Sequence, residues 1–394
     1  MIMSNLNTKK LFTQILGSIS DLDARTSTVE QAIEWSAIVN DMRTGNHSKY
    51  AIGDLITEKW TDITNNTKYD NPWRVNHFET VETEGGVNIP GMWLQNKYAH
   101  PFGVQFSHQR AFLRCPTGLA IGTYYFTIES AWGSNVSAGD VVCFTITQAI
   151  PSGGRVAGCY GAPDQAKSNW RIYTYSADGK TILETITPTF TASGTSLGTM
   201  KASTRNGDLN STEEMAYGWN RWKTSALRQY LNSAAGIGAW WIAQDEWDIA
   251  PDQLAAKPGY LSGLPQGMID AIVPVKCITY TNTVNDGGEA DITYDKVRLI
   301  SLEQMYINPQ ISGEGDPHDY WKELNGTSTK WAQYETYADL IQYAVESRSS
   351  AQYVRLRSAG RGGAYGAWRV FSSGNVSDGD ASSAHRFEPL VFIG

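Results

Sequence analysis

Between residues 12 and 36 the apolar side chains recur at alternating spacings of three and four. Phe12, Ile19, Thr26 and Ile33 occupy one heptad position, and Ile15, Leu22, Val29 and Ser36 another. That spacing keeps one seam of a helix turned toward a partner helix, and isoleucine at both positions favours three strands. A coiled-coil oligomerisation helix, and with it a homotrimer, is therefore expected over residues 1–45. The alternative is an amphipathic helix packed on its own domain.

From about Tyr50 to Met200 the period shortens to two. The runs GTYYFTIESAW, DVVCFTITQAI, WRIYTYS and TILETITPTFT alternate with the turn clusters SADGK and IPSGG. One buried and one solvated face predicts a β-sandwich domain over residues 46–200. The Gly/Ser/Thr-rich stretch TASGTSLGTMKASTRNGDLNS that follows reads as a linker.

Past the linker, SALRQYLNSAAG predicts a helix capped by Thr224 or Ser225 and closed by Gly236. A second helix is predicted over ETYADLIQYAVES, where Tyr337, Leu340, Ile341 and Ala344 share a face. The segments YVRLRSAG, AWRVFSSGNV and RFEPLVFIG predict three terminal strands. Helices first and strands last give an α+β class for residues 201–394.

Composition agrees with a β-rich, turn-rich chain. Of 394 residues, 18% are charged, and Gly (37), Tyr (20) and Trp (14) are abundant. The formal net charge of −8 argues against nucleic-acid binding, which neutralises phosphates. No run of about 20 apolar residues predicts membrane insertion. The N-terminus lacks the apolar region and cleavage site of a signal peptide, so synthesis in the bacterial cytoplasm is expected. Cys115, Cys143, Cys159 and Cys277 contain no C-x-x-C pair, which argues against a disulfide framework or structural zinc.

Candidate chemistry is sparse. Gly194-Thr195-Ser196-Leu197-Gly198 fits G-x-S-x-G, but a nucleophile elbow needs a buried strand before the serine and a helix after it, and here the flanks read as linker. Acidic groups at Asp245/Glu246/Asp248, Asp286/Glu289/Asp291, Glu314/Asp316/Asp319 and Asp378/Asp380 lack the ligand spacing of an EF-hand, and solvated turns are the commoner outcome. None of the six histidines stands at metal-ligand spacing to another. No metal site, cofactor or catalytic residue is expected.

The unusual region runs from Ser349 to His385. It carries Arg355, Arg357, Arg361 and Arg369 before its first acid, Asp378, and between Ala359 and His385 Lys, Glu, Gln and Met are absent. Tyr, Ser, Gly and Asn are the residues of adaptable binding loops; a glycine-rich turn region with a basic face has the same composition.

Several separated motifs here fall in one order. They are Tyr217-Gly218-Trp219-Asn220-Arg221-Trp222, Leu356-Arg357-Ser358, Trp368-Arg369-Val370, Ser372-Ser373-Gly374-Asn375-Val376 and Arg386-Phe387-Glu388-Pro389. In this the chain resembles the variable proteins of diversity-generating retroelements, which have a C-type-lectin fold. The resemblance implies a lectin-like variable domain over residues 201–394 whose last segment is rewritten by mutagenic reverse transcription of N-N-C codons. Those codons cannot encode Lys, Glu, Gln, Met or Trp. Trp368 would then be framework, with Leu356, Arg357, Ser358, Val370, Gly374, Val376, Arg386 and Pro389.

The displayed, ligand-binding residues would be Ala364, Tyr365, Gly366, Arg369, Phe371, Asn375, Ser377, Asp378, Asp380, Ser382, Ser383 and His385. Departures matter: Leu390 follows Glu388-Pro389, and no Trp-Asn-Asp motif exists, so the calcium-dependent sugar site of true lectins is not expected. The expectation is a non-enzymatic receptor-binding protein of a phage or prophage. It would stand on the virion or cell surface and recognise a host-surface protein or glycan. Alternatives are a structural virion component, as a fibre or head decoration, and an enzyme of the formylglycine-generating type, for which Cys277 has no neighbouring cysteine in sequence.

Overall fold

The computed structural model describes residues 34–129, 135–158, 166–200, 212–326 and 329–394. Among them strand accounts for 36% and helix for 16%, so the fold is mainly β, built from several small sheets. This corrects the expected series of coiled-coil helix, sandwich and α+β lectin-like domain. The described residues contain five α-helices, the longest being Trp35–Arg43 with 9 residues. The heptad positions from Phe12 to Ile33 lie outside the described residues; Ser36, the last of them, is exposed on that helix.

A five-stranded sheet organises the core, in the order Leu55–Ile56, Trp73–Glu82, Asn88–Asn96, Leu390–Ile393, Val297–Arg298. The chain's last strand is thus inserted between segments distant in sequence, with Phe392 opposite Trp93 and Val391 opposite Leu94. Side chains alternate across a strand. Met92, Leu94, Val391 and Ile393 accordingly enter one core, and Trp93, Leu390 and Phe392 another. A strand buried on both faces reads as an unbroken apolar run, which Leu390–Ile393 is. Each such side chain contributes about 1.5–3 kcal/mol by leaving water.

The first core also takes in the helices Trp35–Arg43, Ala226–Leu231 and Gln266–Ala271 through Ile38, Met42, Leu227, Tyr230 and Met268. The second holds Trp321, Trp331, Leu340, Leu356, Trp368, Val370 and Val376. Over it lies a four-stranded sheet in the order Val376–Asp380, Gly366–Val370, Val354–Ala359, Arg386–Phe387. Chain segments from both sides of residue 200 therefore share these cores.

Residues 111–200 form two further sheets around a separate core of Phe112, Phe126, Phe144, Val156, Trp170 and Ile172. Its edge includes Thr195–Met200, paired in parallel with Gly122–Ile128. The G-x-S-x-G run is therefore a sheet edge and not linker, and its serine is followed by strand through Met200.

The two predicted helices fare differently. Ala226–Leu231 forms, and Ser225 Oγ caps it by accepting from the Arg228 N–H at 3.1 Å, but the helix ends at Asn232, short of Gly236. Over residues 335–347 no α-helix forms. A 3-10 turn, Ala338–Leu340, drops Leu340 into the second core, and Gln342–Tyr343 pairs with Ala351–Gln352. Tertiary pairing overrides a helical period spread over only four apolar residues.

Candidate functional site

The four-stranded terminal sheet has two unlike faces. Its antiparallel register sets Trp368 opposite Asp378 and Val370 opposite Val376, with Trp368, Val370 and Val376 fully buried. The other face carries Arg369 opposite Ser377, and Arg355 opposite Arg369. Two positions along each strand return to the same face, so Phe371 and Tyr353 stand beside that arginine pair. The parallel pairing of Val354 with Arg386 brings in His385 next to Tyr353.

The side chains meet as the register requires. Tyr353 lies 5.0 Å from Phe371 and stacks on His385 at 5.4 Å between ring centroids. The Arg369 guanidinium carbon sits 4.4 Å from the Phe371 ring centre and 5.6 Å from that of Tyr353. Arg369 Nη1 meets His385 Nε2. Burial first, then the Arg355 and Arg369 charges, push His385 down to about 2, so the ring is neutral and accepts this hydrogen bond. Gly379, opposite Ala367, leaves the space in which the guanidinium lies; a methyl there would overlap it.

Arg355 supports this face from below. Fully buried, it donates to the carbonyls of Ala367 (2.6 Å), Gly379 (2.8 Å), Asp380 (2.6 Å) and Ser383 (3.3 Å). Burial and the neighbouring Arg369 charge push its guanidinium down to about 9. Guanidinium and aromatic surfaces of this kind recognise planar and anionic groups and dominate the energetics of many interfaces.

Of the expected displayed residues, the structure brings Arg369, Phe371 and His385 together. Tyr365 instead packs on Tyr217, with 4.8 Å between centroids. Ser382 donates its N–H to the Tyr217 carbonyl and lines a separate cleft with Gln105, Tyr175 and Asp252. Asn375 closes the far hairpin turn, donating to the Tyr334 carbonyl at 2.9 Å. Ser377, Asp378, Asp380 and Ser383 are half-buried along the strand and its exit.

Ala364 and Gly366 are corrections: both are buried, not displayed. The Ala364 and Gly366 carbonyls accept from Asn220, and a side chain at 366 would overlap the Asp378 carboxylate. Gly366 is small because the Asp378 side chain fills the space beside it.

The expected framework residues Leu356, Arg357, Ser358, Trp368, Val370 and Val376 are buried. Gly374 adopts a φ of 83°, where its turn closes against the Tyr337 carbonyl. Arg386 is half-exposed and pairs with Glu346. The sequence reading missed Tyr353, 41% exposed, because it precedes the Lys- and Glu-free stretch. Its position two residues before Arg355 was the available signal.

Several of the acidic candidates are held in charge pairs. Asp245 and Glu246 meet Arg110 and Arg114, Asp291 meets Arg221, and Asp319 meets His77 and Lys322. Among the described residues no three His, Cys, Asp or Glu side chains are placed to hold a metal ion, and no helix is long and apolar enough to cross a membrane. Cys277 is a buried free thiol inside strand Val275–Tyr280.

Among curated proteins and among solved structures, nothing matches the chain. Residues 186–390, more than half of its length, match the model of a domain of unknown function, DUF6273, and they contain the whole Tyr353–Phe371–Arg369–His385 face. The chain belongs to the DUF6273 family.

Proposed function

We propose that this protein is a non-enzymatic ligand-binding protein, diversified in the manner of retroelement variable proteins and carried by a phage or prophage. Its binding face is the cluster of Tyr353, Arg369, Phe371 and His385, and its target a protein or glycan of the host surface. The observation that carries the reading is the division of one sheet. Trp368, Val370 and Val376 hold the core on one side, while Arg369 and Phe371, at alternating positions of the same strand and its exit, are partly exposed on the other. Residues on the second face can change without disturbing the first. The absence of Lys, Glu, Gln and Met from Ala359 to His385 supports rewriting confined to codons that cannot specify them.

Deep sequencing of the gene's 3′ end, from the codon of Ala344 onward, tests this across a growing population. Substitutions concentrated at Tyr365, Arg369, Phe371, Asn375, Ser377 and His385, with Trp368 and Leu356 unchanged, are expected. A uniform 3′ end, or changes spread evenly over buried and exposed codons, overturns active diversification and favours an invariant structural component.

A further inference from the structure

A second site lies away from the binding face, on the strand Trp73–Glu82. A cavity of about 190 Å³ opens there between Glu79, Glu82, Trp93, Lys276, Arg298 and Gln304. At about 30 Å³ per water, it holds roughly six water-sized groups. Most charges around it are answered. Lys276 Nζ donates to Glu82 Oε2 at 2.8 Å, and the Tyr294 hydroxyl donates to the other oxygen. Glu314 accepts from the Tyr280 N–H at 3.0 Å and stands beside Arg357.

Two charges lack a close ion pair, Arg298 feeling the carboxylates of Asp295 and Glu79 only from beyond contact distance. Arg298 is 4% exposed, yet it forms no ion pair with any carboxylate among the described residues. Its Nη1 donates to the Lys276 carbonyl at 2.8 Å, one face of the guanidinium covers the Trp93 ring at 4.1 Å, and its Nε has no hydrogen-bond partner. Glu79 accepts the Trp93 indole N–H at 2.7 Å on one oxygen, with no hydrogen bond to the other among the described residues. A buried guanidinium without a close anionic acceptor is costly, and a carboxylate is the group whose geometry matches its two-pronged edge.

The cavity wall thus presents one cation and one anion, neither in a close ion pair. A simple anion would meet Glu79, and a simple cation would meet Arg298. We propose that this cavity binds a small zwitterion, a free α-amino acid, with its carboxylate on Arg298 and its ammonium on Glu79. The proposal is independent of the Tyr353–Arg369 face.

Isothermal titration of the full-length protein with each standard amino acid tests it, with acetate and methylammonium as half-ligands. At least one amino acid is expected to bind with a Kd of about 1 mM or tighter, and each half-ligand at least about tenfold more weakly. Arg298→Gln and Glu79→Gln are each expected to weaken that binding by about tenfold or more, while a change at Ile121, exposed and outside the cavity lining, leaves it unchanged. Glu79→Gln keeps an acceptor for the Trp93 indole, so it separates loss of charge from loss of fold should the buried Arg298→Gln variant not fold. Absence of binding by every amino acid at about 10 mM overturns the proposal. So does acetate binding as tightly as the amino acid, or a Glu79→Gln variant that binds as the parent does.

Discussion

Gln95 Nε2 donates to Glu388 Oε2 at 2.8 Å, joining residues 293 positions apart in the chain. The bond is the middle of a buried network. Gln95 Oε1 accepts from Asn76, Arg74 and the Trp321 indole, and Arg74 lies 3.8 Å over the Tyr320 ring. Polar groups enclosed this way specify register, because any slip of the last strand leaves several donors unpaired.

Burial pushes the Glu388 carboxyl up to about 8, against the opposing pull of Arg74 and the Gln95 hydrogen bond. A folded-state pKa above the unfolded one means that the folded protein holds a proton the unfolded chain releases. Stability from this group is therefore complete below pH 4.5, falls as pH rises, and is gone above about pH 8. Urea unfolding at pH 6.5 and pH 8 should show the parent less stable at the higher pH by about 1–2 kcal/mol, with Glu388→Gln removing most of that slope. An unchanged slope in the variant would show that Glu388 is not the group responsible.

Three histidines act in the opposite sense. Burial holds His100 and His318 well below their ordinary range, and His385 is pushed down to about 2. These rings stay neutral in the fold but protonate when unfolded, so stability is lost as pH falls below about 6.5. Thermal melts from pH 7 to pH 5 should show a falling midpoint, and His385→Gln should lessen the fall. The two effects together place maximum stability near pH 6–7.

Trp368 and Phe371 should separate core from display. Trp368→Ala empties a fully buried site and is expected to cost about 3–5 kcal/mol in urea unfolding. Phe371→Ala, at a half-buried position three residues away, should cost about 1 kcal/mol or less. Comparable losses would show that the terminal sheet has no tolerant face.

Gly379→Ala should displace the Arg369 guanidinium, the flexible end of a side chain, with little loss of stability. Since the Arg369 charge helps hold His385 low, its removal to solvent should raise the His385 titration, and Arg369→Gln should move it the same way. NMR titration of the His385 imidazole reads this directly. A His385 signal unmoved in both variants would mean that burial alone sets it.

Several elements, though not the architecture, were legible as local pattern. Period-two alternation marked the strands from Gly122 to Ile186 and those from Val354 to Val370, and Ser225 announced the cap of its helix. Trp368, Val370 and Val376, which the family resemblance implied as framework, are buried on one face of their strands. Partnership was not legible. Leu390–Ile393 is apolar at every position, so it reads as a buried strand but carries no mark of its neighbours, which are Asn88–Asn96 and Val297–Arg298.

The sequence by itself therefore determined which segments extend, because extension depends on a few adjacent residues. Only the tertiary structure decided that residues 335–347 turn and pair instead of coiling, that Ala364 and Gly366 are buried, and that Tyr353 joins Arg369 and His385. Each of these depends on contacts between segments far apart in the chain, whose closure is set by the whole core and not by local preference.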